Sequence, residues 1–295
     1  MNENQLKQMT SRSGFVAALD QSGGSTPKAL RAYGITDENY KSDEEMFSIV
    51  HEMRTRIIKS PAFCNDRVIG AILFENTMDR KIDDLYTAEY LWHKKGIVPF
   101  LKIDRGLALQ NNGVQVMKDI VDLDGLLKKA ISKNIFGTKM RSVIKEANEE
   151  GIKEVLEQQF KIAKVIISYG LVPIIEPEVD IYSCDKEKCE KILKKYLKEN
   201  LEKLDKGAKI ILKLTIPSVD GFYSDIMKNE HIVRILALSG GYTRTEATEK
   251  LVKNHGVIAS FSRALVEGLK VNQEDKEFHS MLEDSIDKIY EASIS

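Results

Sequence analysis

Two periods alternate along this chain. Short apolar runs fall at residues 14–19, 68–74, 97–103, 136–144, 171–175, 207–217, 232–238 and 257–262. Runs of this length, apolar on both faces, read as strands buried on both sides of a parallel sheet. Between them the period changes to three and four. Residues 43–59 carry Met46, Phe47, Val50, Met53 and Ile57 at helical spacing. The same pattern predicts helices over 87–95, 123–134, 149–169, 186–205, 244–254 and 274–291. Gly96, Gly170 and Gly207 stop three of them. Residues 1–13 are polar and read as a leading segment, and 292–295 as a tail.

Eight strands separated by helices predict a parallel (β/α)8 barrel, the TIM-barrel architecture. No Pro/Gly/Ser-rich linker or shift in composition interrupts the chain, so 1–295 reads as one domain closed by the helix and tail at 274–295. An open doubly wound sheet has the same periodicity. The polar residues favour the barrel, because nearly all of them sit in or just past the C-terminal end of a strand, where barrel enzymes build their sites.

The totals narrow the classes. With 295 residues, 42% apolar and 30% charged, the chain is long enough for a large core and too apolar for disorder. A net charge of −1 gives no global case for nucleic acid or an anionic membrane as partner. No apolar run approaches a membrane span, and the first residues lack the apolar segment of a secretory signal. Cys64, Cys184 and Cys189 are odd in number and form no CxxC, which fits free thiols in a reducing cytoplasm. The five histidines are scattered and none ends a strand, so no zinc site is expected, and no cofactor.

The candidate chemistry centres on Lys213. It interrupts a strand made of Ile210, Ile211, Leu212, Leu214 and Ile216. A lysine there must pair its charge, shed it, or use it. An uncharged amine attacks carbonyls and forms Schiff bases. A lysine snorkelling from a strand end gives the same local pattern, so the other residues decide. Lys139 and Arg141 lie two apart and share a face, as do Glu176 and Glu178. A closed barrel aims them all at one mouth. A second cation such as Lys139 favours the neutral amine, and a carboxylate can move protons as a carbinolamine dehydrates. Asp20 is placed to take a proton from a substrate hydroxyl. Ser239, Gly240, Gly241 and Arg263 suit a phosphate, because glycines let backbone N–H groups approach and barrels bind phosphate after strands seven and eight. Lys102, Ser22 and Ser25 suit a second anion across the mouth.

On these residues the chain resembles the class I fructose-1,6-bisphosphate aldolases, the Schiff-base type that needs no metal. The resemblance spans about residues 14–269. It rests on Ala-Leu-Asp20-Gln-Ser22, Leu73-Phe-Glu, Lys102-Ile-Asp104-Arg-Gly, Lys139-Met-Arg141, Val172-Pro-Ile-Ile-Glu176-Pro-Glu178, Leu212-Lys213-Leu, Leu238-Ser239-Gly-Gly241 and Ser262-Arg263-Ala-Leu. It implies that Lys213 forms the Schiff base with dihydroxyacetone phosphate and that Glu176 is the acid/base for carbinolamine formation and dehydration. By the same resemblance Asp20 takes the C4 hydroxyl proton, Lys139 and Arg141 assist, and Glu178 sits beside Lys213. Ser239, Gly240, Gly241, Ser262 and Arg263 would bind the C1 phosphate, with Lys102, Ser22 and Ser25 towards the C6 phosphate. The implied partners are sugar phosphates, and apolar helix faces leave a homo-oligomer open.

The chain departs from the family at three places. Gln21 stands where the family often has Glu, and Met140 where it often has Trp. Animal members close a terminal tyrosine over the site, whereas Tyr290 lies inside the last helical pattern and the chain ends in Ser295. Two rival readings remain. One is another Schiff-base lyase or transferase, transaldolase-like or acting on a monophosphate. Two anion sites favour the bisphosphate instead. The other is a non-catalytic sugar-phosphate sensor, against which the pair Lys213 and Glu176 argues.

Overall fold

The computed structural model describes residues 1–295. The strands β1 (Phe15–Leu19), β2 (Val68–Leu73), β3 (Val98–Lys102), β4 (Gly137–Ile144), β5 (Val172–Val179), β6 (Ile210–Thr215), β7 (Ile232–Leu238) and β8 (Ile258–Ala259) pair in sequence order, every pair parallel. The Ala18 N–H donates to the Phe261 carbonyl at 3.2 Å and brings the eighth strand back to the first. This is the expected (β/α)8 barrel. Val114–Gln115 adds a short antiparallel partner to the end of β4.

Two strand boundaries differ from the pattern. The fifth strand was expected to stop at residue 175, but its ladder with β4 continues through Glu176↔Arg141 to Val179↔Ile144. Hydrophobic patterning ends at the first charged side chain, whereas the ladder is made by the backbone. The eighth strand keeps only two laddered residues, because the chain turns at Ser262 into a short helix, Arg263–Val266.

The helices α1 (Glu3–Ser11), α2 (Ser25–Tyr33) and α3 (Asp43–Lys59) come first in the chain. The last three long helices are Glu149–Ser168, Lys186–Leu201 and Asp275–Ser293. The polar leading segment is largely α1, and it plugs the N-terminal face of the barrel. Met9 is fully buried in the interior cluster with Val16, Phe100 and Ile258. The Gln8 side-chain amide donates to the carbonyls of Ile69 and Gly96, at 2.9 and 2.7 Å. Arg234 of β7 donates to the carbonyls of Met9 and Arg12. A polar exposed face hid the plug, since only Gln5 and Met9 of α1 are buried.

The period of two continues up the inside of the barrel and changes chemistry on the way. Val16 and Ala18 lead to Asp20; Val98 and Phe100 to Lys102; Val172 and Ile174 to Glu176; Ile211 to Lys213. Alternate side chains point to the same face. The apolar members fill the floor, and the next residue on each strand is charged. The site is thus built on four strands by one rule, and its floor is dry.

Candidate active site

Lys139, Glu176, Lys213 and Asp20 meet at the top of that interior. Each is only 3% to 7% exposed. Lys139 Nζ lies 2.8 Å from Asp20 Oδ2 and 2.7 Å from Glu176 Oε2. The other oxygen of Glu176, Oε1, lies 3.0 Å from Lys213 Nζ. The Glu176 N–H donates to the Gln159 side-chain carbonyl at 3.0 Å, and Gln159 donates in turn to Ser142, which ties strand five to the helix behind it. Two lysines and two carboxylates form a formally neutral set, the condition under which buried charges are tolerated.

The set fixes charge states. Burial opposes ionisation of Asp20, but Lys139, Lys213 and Lys102 outweigh it and hold its carboxyl far below the usual carboxylate range. Burial likewise works against the Lys139 charge, and Asp20, Glu176 and Asp104 reverse that and hold it above the ordinary lysine value. Asp20 is therefore a carboxylate and Lys139 an ammonium at neutral pH.

One step further up the strands the groups are wetter. Arg141 Nε is 2.5 Å from Glu178 Oε2. Burial disfavours the Arg141 charge, and Glu178, Glu176 and Asp104 more than restore it. Glu178, expected beside Lys213, has Arg141 as its ion-pair partner, and the carboxylate paired with Lys213 is Glu176. Glu178 is two residues above Glu176 on the same face of β5, and its carboxylate reaches Arg141 of β4.

Lys102 neighbours Lys139 across the β3–β4 ladder. Its amine is bound to Asp104, at 2.7 Å from Oδ1 and 2.8 Å from the main-chain carbonyl. Ser22 and Ser25 bond to each other. The Ser22 N–H donates to Ser25 Oγ at 2.9 Å, and that hydroxyl donates to the Ser22 carbonyl at 2.8 Å, forming the turn into α2. These three residues lie on the β1 and β3 side of the mouth, and the Ser25 hydroxyl is used locally, on the Ser22 backbone.

On the opposite side, β7 runs into Ser239, Gly240 and Gly241. Both glycines have positive φ, +59° and +122°, a conformation that side chains rarely adopt. The Tyr242 N–H closes the turn on the Ser239 carbonyl. A methyl placed on Gly241 would lie 3.6 Å from the Arg263 guanidinium. The turn that Ser239 and Gly240 begin therefore brings Gly241 against Arg263. Ser262, next to Arg263, accepts a hydrogen bond from the Gln21 side-chain amide at 2.6 Å.

That bond leads to residues that sequence reasoning missed. Gln21 is held from behind by Arg54, whose guanidinium donates to the Gln21 carbonyl at 2.7 Å and to its Oε1 at 3.2 Å. Arg54 also donates to Thr77 Oγ1 at 2.5 Å. It is 1% exposed and has no carboxylate within ion-pair distance. Burial pushes it down to about 10, with Asp20 nearby working the other way. The signal was present in α3: Val50, Arg54 and Ile58 share the helix face that packs inward.

A barrel that buries a lysine amine against a carboxylate, with a glycine turn beside an arginine across the mouth, has the make-up of a lyase that works through lysine. Comparison with known proteins gives the family. The chain belongs to the class I fructose-bisphosphate aldolases: the family model described as "Fructose-bisphosphate aldolase class-I" matches residues 3–217. It is 62% identical to the fructose-bisphosphate aldolase class 1 of Clostridium acetobutylicum over 295 residues, covering all of both chains. It is 57% identical to the enzyme of that name from Porphyromonas gingivalis, again over the whole of both. Against the Synechocystis enzyme the identity is 56%, covering 100% of this chain and 98% of the other. Among solved structures, fructose-bisphosphate aldolase from Plasmodium falciparum superposes with a TM-score of 0.70 at 21% identity, over 98% of this chain and 91% of that one. That likeness supports the barrel fold.

Proposed function

We propose that Lys213 is the Schiff-base nucleophile of a metal-independent, reversible cleavage of fructose 1,6-bisphosphate into dihydroxyacetone phosphate and glyceraldehyde 3-phosphate, a step of glycolysis and gluconeogenesis. The observation that carries the assignment is the carboxylate of Glu176 divided between Lys213 and Lys139. The amine must be uncharged to attack, and Glu176 Oε1 at 3.0 Å is the nearest acceptor for its proton. The nitrogen adds to the C2 carbonyl of the open-chain sugar. Glu176 returns that proton to the C2 oxygen to give the carbinolamine, then takes a second proton from its nitrogen and delivers it to the C2 hydroxyl, which leaves as water and gives the iminium.

Asp20 serves the next step. It is ionised and 2.8 Å from Lys139, so it can accept a proton without first losing one. As it takes the proton of the C4 hydroxyl, the C4–O bond becomes a carbonyl and the C3–C4 electrons pass to the iminium. Glyceraldehyde 3-phosphate leaves, and Lys213 retains a C2–C3 enamine. Protonation at C3 and hydrolysis of the imine release dihydroxyacetone phosphate. Lys139 steadies both carboxylates as their charges change, and Arg141 with Glu178 assists from the layer above.

Ser239, Gly240, Gly241, Ser262 and Arg263 take the C1 phosphate in this reading, supported by the positive-φ glycines beside the Arg263 guanidinium. Lys102, Ser22 and Ser25 take the C6 phosphate, with Lys102 turning from Asp104 to the anion. No helix is long and apolar enough to cross a membrane, and Cys64, Cys184 and Cys189 carry no disulfide, which supports a reducing, cytoplasmic setting. The test is borohydride trapping with fructose 1,6-bisphosphate in excess chelator, followed by peptide mapping. A triose-phosphate adduct on Lys213 is expected. Cleavage without any trapped adduct would sink the assignment.

A further inference from the structure

Tyr182 is the one aromatic residue at the mouth that packing does not explain. Its side chain is 82% exposed, yet its backbone is held firmly. The Asp180 N–H donates to the Ile144 carbonyl at 2.8 Å, which anchors the loop to the end of β4. The Tyr182 N–H donates to Asp180 Oδ1 at 3.0 Å, and the Ser183 N–H to the Asp180 carbonyl at 3.1 Å, which makes a tight turn. Ile181 points from this turn onto the glycines after β7. A methyl on Gly240 would collide with Ile181 Cγ2 at 2.7 Å, and one on Gly241 would touch Ile181 Cδ1 at 3.3 Å. Ile181 of the loop after β5 therefore occupies the space that side chains on these two glycines would need.

That contact sets where the tyrosine goes. A methyl on Gly241 would lie 3.7 Å from the Tyr182 hydroxyl and 3.6 Å from the Arg263 guanidinium. The hydroxyl and the guanidinium thus both flank Gly241. We propose that Tyr182 is a substrate-binding residue whose hydroxyl donates to the phosphate on C1 of the ketose, completing the cradle of Gly240, Gly241 and Arg263 from the solvent side. The inference rests on the proposed function and adds to it a contact from the β5 loop. A phenol suits the place: it is a neutral donor that adds no charge to order, and it has only two side-chain torsions to fix. It also ties the grip on phosphate to β5, the strand that carries Glu176.

The test uses the full-length enzyme with Tyr182→Phe and Tyr182→Ala. Losing one hydrogen bond to a charged group weakens binding about tenfold. Tyr182→Phe is expected to raise KM for fructose 1,6-bisphosphate and the inhibition constant of dihydroxyacetone phosphate by about that factor. The loss falls in KM and not in kcat. KM for glyceraldehyde 3-phosphate in the condensation direction, which carries the other phosphate, stays at the wild-type value. A Tyr182→Phe enzyme that binds dihydroxyacetone phosphate as wild type does overturns the inference, even if Tyr182→Ala is impaired, because the ring and not the hydroxyl would then matter. Equal losses for both trioses also overturn it. A wild-type protein that neither binds dihydroxyacetone phosphate nor traps on Lys213 overturns the proposed function, and this inference with it.

Discussion

Glu176 presents one carboxylate oxygen to Lys213 at 3.0 Å and the other to Lys139 at 2.7 Å. Lys213, the proposed nucleophile, and Lys139 therefore lean on the same group, but replacing them has opposite consequences. Lys213→Met removes the amine and leaves Glu176 paired with Lys139. We expect activity to fall by about 10⁴-fold or more, the scale of losing a covalent nucleophile, with the cooperative melt and circular dichroism retained. Turnover within tenfold of wild type would refute the role.

Lys139→Met does the reverse. It strips Asp20 of its ion-pair partner inside a buried site. Breaking such a pair typically costs about 3–5 kcal/mol, because the remaining charge is uncompensated. The lone carboxylate favours its protonated form, so the variant should recover stability relative to wild type as pH falls from 8 to 5. Urea unfolding at the two pH values measures this.

Wild type has its own pH signature. The Asp20 carboxyl is depressed in the fold, so its contribution is present above the ordinary carboxylate value of about 4 and is lost as pH falls below it. The raised Lys139 contributes fully below the ordinary lysine value of about 10.4 and loses that contribution only as pH rises through its folded value. Stability from this pair is flat between those limits. Asp20→Asn should give a shallower loss of stability between pH 5 and pH 3 than wild type, and urea midpoints across that range would show it.

Arg54 sets the position of the Asp20 turn without touching the reacting atoms. Arg54→Met frees the Gln21 carbonyl and side chain, and with them the link to Ser262. Small displacements of a catalytic group cost about tenfold to a hundredfold in rate. We expect a loss of kcat in that range, not restored by Arg54→Lys, since an ammonium cannot span Gln21 and Thr77 together. Steady-state kinetics of the two variants decide it.

The plug at the far face separates stability from chemistry. Met9→Ala opens a cavity against Val16 and Phe100 and should cost about 3 kcal/mol. The site lies at the other end of the barrel, so kcat should hold within about twofold of wild type at temperatures below the melt. A kcat loss equal to that of the Arg54 variant would contradict the division of the barrel into floor and mouth.

Much of this was legible in the sequence for a physical reason. Lys213 stood out because no strand carries a buried charge idly, and the i, i+2 pairs Lys139/Arg141 and Glu176/Glu178 announced their shared faces. Spacing along a strand gives the face, but not the height at which a neighbouring strand stands. The ion pair between Glu178 and Arg141 therefore gave no signal in the sequence. Met9 was hidden because its helix is polar on every other turn, and Arg54 because a charged residue on an apolar helix face looks like a break in the pattern. Tyr182 gave no signal, since an exposed tyrosine in a loop is ordinary until the glycine turn beneath it is seen.

The joint between β8 and β1 has one further consequence. It is spanned by the backbone bond from Ala18 to Phe261 and by the side-chain bond from Gln21 to Ser262, whereas β4 and β5 are laced over eight residues. Local opening follows the density of such bonds. Lys139 and Glu176 thus stand at the most extensively laddered joint of the cylinder, and Asp20 stands beside its seam. The group assigned to break the carbon–carbon bond is mounted beside the joint with the fewest cross-links, facing the joint with the most.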